Sequence, residues 1–367
     1  MNTQIQDKFT FKNGQTMRNR VVLAPMTICA SEPGGYVSQA DIDFFARRSR
    51  SVGMVITGST YVHPLGKSFA ESFSGAEDDK IEGLSRLAKA IKDQGALAIV
   101  QLYHGGRMVL PDLIDGQPVA PSAVKAPRDY LAEPRALKNA EVEQVIEDFL
   151  SAIRRAIQAG FDGVELHGAN TYLIQQFVSP HSNVRQDKWG GSLNNRLRFP
   201  KTLLKRAKQL VKEEADRPFL IGYRFSPEEI EEPGIQLYDT LQLLEQLIYH
   251  QVDYLHISTS DVWRSSIRDS QDSEPVIQKI IRKINGRVPL IGVGQIETKQ
   301  DAQRVLDAGI PLFALGKALL LDPDWAEKVV SGREEEVIRT YRDELQADLA
   351  LPTAFVEDAR SYLEGKD

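Results

Sequence analysis

A chain of 367 residues that is 42% apolar and 26% charged carries enough material for a large buried core. Its formal charge of −6 argues against a general nucleic-acid or anionic-membrane role, and no apolar run reaches membrane-spanning length. The single cysteine, Cys29, excludes internal disulfides and an intrachain cysteine-ligated cluster, and the polar N-terminus lacks the apolar stretch of a signal peptide, so a cytoplasmic protein is expected.

Short β-rich apolar runs alternate with longer helical patterns. Strands are expected at 21–26 (VVLAPM), 53–60 (GMVITGST), 97–104 (LAIVQLYH), 163–169 (GVELHGA), 219–226 (FLIGYRFS), 254–259 (YLHIST), 289–294 (PLIGVG) and 312–316 (LFALG). Such near-continuous apolar runs suit strands covered on both faces. Amphipathic helices are expected at 81–94, 141–159 and 240–251, the second with Asn139 as N-cap and Gly160 as stop. Eight βα units without a linker predict a closed (β/α)₈ TIM barrel, a single domain over residues 1–367. Two connections are too long for turns: the proline-rich 105–137 after strand three, and 170–191 after strand four. At the C-terminal face of such a barrel, long loops read as walls or lids of a site.

Nearly every expected strand ends in a small or polar residue: Thr27, Gly58, Gln101, His104, His167, Arg224, His256, Gly294 and Gly316. Strand ends of a barrel converge on one mouth, so this set describes a ligand site. The glycines of GVGQ (292–295) and ALGKALL (314–320) let backbone amides approach an anion, with Lys317 opening a helix beside it, the usual phosphate position of the fold. Arg224 suits an anion or a ring that becomes anionic on reduction, Gln101 the edge of a heterocycle, and Thr27 adds a hydroxyl. In HGANTY (167–172), His167 and Asn170 can donate to an oxygen becoming an enolate, and the Tyr172 phenol can protonate the adjacent carbon.

The stretch HGANTYLIQQFVSPHSNVRQDKWGGSLNNRLRF (167–199) resembles the central signature of the old yellow enzyme family. So do APMT (24–27), QLYHGGR (101–107), GQPVAPSA (116–123) and YRFSP (223–227), together with the GVGQ and LGKALL ends. The landmarks run from the first strand to the eighth. The resemblance implies non-covalent FMN in the barrel mouth, with Pro25, Met26, Thr27, Gly58 and Gln101 along the ring and Arg224 at its pyrimidine side. It places the phosphate at Gly294, Gln295, Gly316 and Lys317. It makes His167 and Asn170 the anchors of a substrate oxygen and Tyr172 the proton donor. The implied cycle is ping-pong: NADH or NADPH reduces the flavin, and a small unsaturated carbonyl compound then takes hydride at its β-carbon. No metal, nucleic acid or membrane partner is implied, and a homo-oligomer is compatible with it.

Four positions depart from the family pattern. Thr171 stands where glycine is common, and Lys317 replaces an arginine. Thr27 follows the branch that carries threonine instead of cysteine, and Cys29 lies where that other branch places a tyrosine. Two alternative readings stand beside the resemblance: an FMN-binding protein without ene-reductase turnover, and a metal-dependent barrel hydrolase using His104, His167 and His256.

Overall fold

The computed structural model describes residues 3–365. Eight parallel strands close into a barrel: β1 (Val21–Leu23), β2 (Met54–Tyr61), β3 (Leu97–Tyr103), β4 (Gly163–Gly168), β5 (Leu220–Phe225), β6 (Tyr254–Ile257), β7 (Leu290–Val293) and β8 (Leu312–Leu315). Each strand pairs with its neighbours in sequence, and β8 closes on β1 with Phe313 opposite Val21. All eight expected strands are present. The first stops at Leu23, earlier than expected, because Pro25 has no N–H to give to a ladder.

Helices follow the strands on the outside: α1 (Gln39–Ser49), α2 (Ile81–Asp93), α3 (Asn139–Gln158), α4 (Arg198–Glu214), α5 (Leu237–Tyr249), α6 (Val276–Ile284), α7 (Lys299–Asp307) and α8 (Trp325–Val330). A further helix, α9 (Thr353–Glu364), ends the described chain. On α3, Val142, Ile146, Phe149 and Ile153 are buried at helical spacing, each burial contributing about 1.5–3 kcal/mol. Asn139 is the first residue of α3 and not its cap. The cap is Lys138, whose amide donates to Glu141 Oε2 at 2.7 Å, so a carboxylate one turn in satisfies the helix start. The same device starts α5 ahead of the expected position, with the Gln236 amide donating to Asp239 Oδ2 at 3.1 Å.

Neither long connection is irregular throughout. Residues 105–137 contain two single turns of 3₁₀ helix and a parallel pair, Val119–Ala120 with Arg135–Ala136. Residues 170–191 contain the short helix Leu173–Val178. At the opposite, N-terminal end, a hairpin (Phe9–Thr10 with Thr16–Met17) plugs the barrel. Phe11 and Met17 pack there with the inward side chains Met54, Ile56, Ile99, Leu220, Tyr254, Ile291 and Leu312. The lower barrel is therefore a packed apolar core, and polar side chains begin only toward the C-terminal ends of the strands.

Candidate active site

The end of β1 meets β2 at a bulge, where the pairing jumps from Ile56–Ile99 to Ser59–Gln101. Gly58 sits in that bulge, and a Cβ there would stand 2.6 Å from the Met26 carbonyl oxygen, so glycine permits this approach. It brings Pro25, Met26 and Thr27, all partly buried, against β2. The Ser59 amide donates to Thr27 Oγ1 at 3.1 Å, which leaves the Thr27 hydroxyl proton free for a ligand.

From Ser59 a chain of hydrogen bonds crosses the barrel. Ser59 Oγ donates to Gln101 Oε1 at 3.1 Å, and Gln101 Nε2 donates to Glu165 Oε1 at 2.7 Å. Glu165 Oε2 lies 3.0 Å from His256 Nδ1. Glu165 and His256 are wholly inaccessible to solvent. Burial works against the Glu165 charge, but His256, Arg224 and the Gln101 amide outweigh it and bring the carboxyl below its ordinary range. Burial lowers the pKa of His256, with Glu165 opposing, and burial lowers that of Arg224, again with Glu165 opposing. Among the described residues, Arg224 Nε and His256 Nε2 have no hydrogen-bond partner. Buried polar atoms left this way at a barrel mouth suit a polar ligand edge.

One layer higher, His167 pairs in register with Arg224. Burial, with Arg224 and His256, pushes the His167 imidazole well down, so the ring is neutral. Its Nδ1 accepts from the Ala169 amide at 3.4 Å, which puts the proton on Nε2. The Tyr172 ring meets it edge-on at 4.9 Å between centroids. Burial pushes the Tyr172 phenol up to about 12, with Arg224 and Arg128 opposing. Asn170 accepts a hydrogen bond from Ser258 Oγ on its Oδ1 at 2.8 Å, leaving both Nδ2 protons to donate. Three groups that sequence places within six residues thus stand over the Gln101–Glu165–His256 chain.

Gly294, Gln295, Gly316 and Lys317 line a separate arm of the mouth, a cavity of about 490 Å³. Gly294 (φ +110°) and Gln295 (φ +51°) are both left-handed, a backbone form that turns successive amides toward one point. The helix Lys317–Leu321 begins on the cavity wall, its first bonds reaching Gly316 O from Leu319 and Leu320, so the amides of Lys317 and Ala318 have no helical partner. Among the described residues the Lys317 ammonium pairs with no carboxylate; it lies 4.9 Å from the centre of the Tyr362 ring on α9. An anion-seeking arm joined to a pocket of unpartnered ring-edge groups fits a phosphorylated heterocycle such as FMN.

Not every expected mouth residue is there. His104 lies three positions beyond Gln101 and so on the opposite face of the strand line, stacked on His63 with 6.3 Å between ring centres. Its Nδ1 accepts from the Gly106 amide, and it lines a small cavity against α3. The three histidines therefore do not converge, and among the described residues no group of three His, Cys, Asp or Glu could hold a metal ion. Glu165 was not expected, although a carboxylate at an inward alternate position of the apolar run GVELHGA is a legible signal. Ser59 and Ser258, and Ser226, whose Oγ accepts from the Asn170 amide at 3.0 Å, carry no such signal.

A closed parallel barrel whose mouth joins an arm of glycine-lined strand ends to a His–Asn–Tyr cluster has the architecture of the old yellow enzyme class. Residues 7–336 match the NADH:flavin oxidoreductase / NADH oxidase family, and the chain belongs to that FMN-binding family. It is 47% identical over 340 residues to the NADH:fumarate oxidoreductase of Klebsiella pneumoniae and 44% identical over 360 to the NADH:acrylate oxidoreductase of Vibrio harveyi. These matches cover 92% and 96% of this chain but span about 37% and 36% of those longer relatives. It is 45% identical to the probable NADH-dependent flavin oxidoreductase YqiG of Bacillus subtilis, over 90% of this chain and 89% of that one. The old yellow enzyme homologue of Zymomonas mobilis superposes with a TM-score of 0.81 at 25% identity, covering 96% of this chain and 99% of that one. Across the described residues, no helix is long and apolar enough to cross a membrane.

Proposed function

We propose that this chain reduces the activated C=C bond of α,β-unsaturated carbonyl or related electrophilic compounds with hydride from NADH or NADPH. FMN, when bound, supplies the hydride relay between the two, which use one face in turn. Pro25, Met26, Thr27, Gly58 and Gln101 would line its ring, Arg224 would meet the pyrimidine side, and Gly294, Gln295, Gly316 and Lys317 would hold its phosphate. His167 Nε2 and Asn170 Nδ2 donate to the substrate oxygen and stabilise its enolate charge. Tyr172, whose raised pKa keeps it protonated, delivers the proton to the α-carbon.

The observation that carries this reading is the packing of Tyr172 against a neutral His167, with Asn170 held by Ser258 so that its amide is left to donate. Relatives named for fumarate and acrylate support an activated double bond, and morphinone reductase, at 26% identity or below, binds tetrahydroNAD. A second reading, nicotinamide oxidation without turnover of enones, is favoured by the match to little more than a third of the first two relatives. One experiment separates them. The purified protein is expected to release FMN and not FAD on denaturation. Under anaerobic conditions NADH or NADPH should bleach the flavin, and an enone should restore its colour. Reoxidation by quinones or oxygen but by no enone or nitroalkene would leave the second reading.

A further inference from the structure

A charged carboxylate at the centre of a barrel is costly unless something there requires it. Glu165 is fully buried, lies below the residues proposed to touch substrate, and has no part in proton delivery. Its surroundings nonetheless bear on two residues assigned to the ring. It accepts from Gln101 Nε2 while Ser59 donates to Gln101 Oε1, so the amide is held one way round and its remaining N–H is the group left for a ligand. Its other oxygen lies 3.0 Å from His256 Nδ1, and His256 stands in register with Arg224 on the neighbouring strand, so the carboxylate and the guanidinium act on one another from either side of that imidazole. The Glu165 carboxylate therefore offsets the Arg224 guanidinium before any ligand enters.

We propose that Glu165 is a positioning residue that fixes the Gln101 amide and offsets the charge of Arg224, so that it holds down the reduction potential of the bound flavin. The inference rests on the proposed placement of the ring beside Gln101 and Arg224. A ring that gains negative charge on reduction has Arg224 as its stabilising cation, and Glu165 competes for the same guanidinium. Taking away the carboxylate charge leaves Arg224 uncompensated and favours the reduced form.

The test is the midpoint potential of bound FMN in wild type, Glu165→Gln and Glu165→Met, with FMN affinity measured alongside. Gln keeps the shape of Glu and the oxygen that accepts from Gln101, and its NH2 can donate to His256 Nδ1 in the other imidazole tautomer; Met fills the same space without polarity and serves if the Gln variant does not fold. Both should shift the potential to more positive values, the preference for reduced over oxidised FMN rising by roughly tenfold or more. Glu165→Asp, which keeps the charge, should stay near the wild-type potential even if FMN binds less tightly. A purely structural role would weaken both redox forms together and leave the potential unmoved. An unmoved or more negative potential in the uncharged variants overturns this inference alone, as does a positive shift of equal size in Glu165→Asp. A wild-type protein that takes up no FMN overturns the proposed function and this inference with it.

Discussion

Tyr172 is held edge-on by two rings, His167 at 4.9 Å and Tyr103 at 5.2 Å, so its position does not depend on the hydroxyl. Tyr172→Phe should therefore keep the site's shape and remove only the proton. Reduction of the flavin by nicotinamide moves no proton to carbon and should stay within a few-fold of wild type. Reoxidation by an enone should slow by ~10²–10⁴-fold, the usual range for a general acid. Rapid-mixing measurements of the two half-reactions check this, and equal enone rates would assign the proton to another group or to water. Lys317 is the second residue where one substitution is informative. Its ammonium has a ring for company and no carboxylate among the described residues, so an arriving phosphate has no ion pair to break. Lys317→Ala should weaken FMN binding by about 1–3 kcal/mol, less at high salt. Flavin titration at two ionic strengths measures it.

The turn between β4 and the helix Leu173–Val178 carries two successive left-handed residues, Asn170 at φ +55° and Thr171 at φ +64°. Asparagine tolerates that region; a β-branched threonine is strained there by about 1–3 kcal/mol. The strain is held by neighbours. The Thr171 amide donates to Gln175 Oε1 at 3.0 Å, and Gln176 Nε2 donates to the Thr171 carbonyl at 2.6 Å. Gln175 is anchored in turn by Glu229, at 3.1 Å. This accounts for the glycine that the family resemblance led one to expect: the conformation suits glycine, and here the element imposes it on threonine. Thr171→Gly should raise stability by about 1 kcal/mol after the entropy cost of glycine is deducted. Urea unfolding measures the gain, and the Tyr172 half-reactions should be unchanged because both glutamine contacts are to backbone. A loss of stability would mean the threonine side chain makes a favourable contact that outweighs its backbone.

Across the whole molecule the two ends of the barrel do different things. The C-terminal ends of the strands carry the polar chain and the phosphate-type arm, whereas the N-terminal end is closed by Phe11 and Met17 from the hairpin. Stability and chemistry are thus separable by position. Phe11→Ala leaves a void under the barrel and should cost about 3–5 kcal/mol, read as a lower midpoint in chemical denaturation. FMN affinity of the folded protein should be kept, because the apolar layer of Ile56, Ile99 and Leu220 lies between. Loss of flavin at the same protein stability would show that the plug shapes the mouth directly.

The alternation of apolar strands and amphipathic helices is a local signal, and it made the barrel legible from sequence; the glycine-flanked strand ends and the HGANTY cluster were likewise visible as local patterns at its mouth. Where local patterning gave no answer, the reason was parity or distance. His104 and His167 both end strands, yet one faces outward and one inward, because a side chain's face follows from its count along the strand relative to the barrel interior. The Gln101–Glu165 and Glu165–His256 contacts join residues 64 and 91 positions apart. The bulge that brings Thr27 to Ser59 depends on the register between β2 and β3. Partners so far apart in sequence meet only when eight strands have closed in one register, and closure also removes the water that would otherwise solvate their charges. The residue types at the mouth were therefore set by the sequence alone; which of them share a proton, oppose a charge or face away was decided by the tertiary structure.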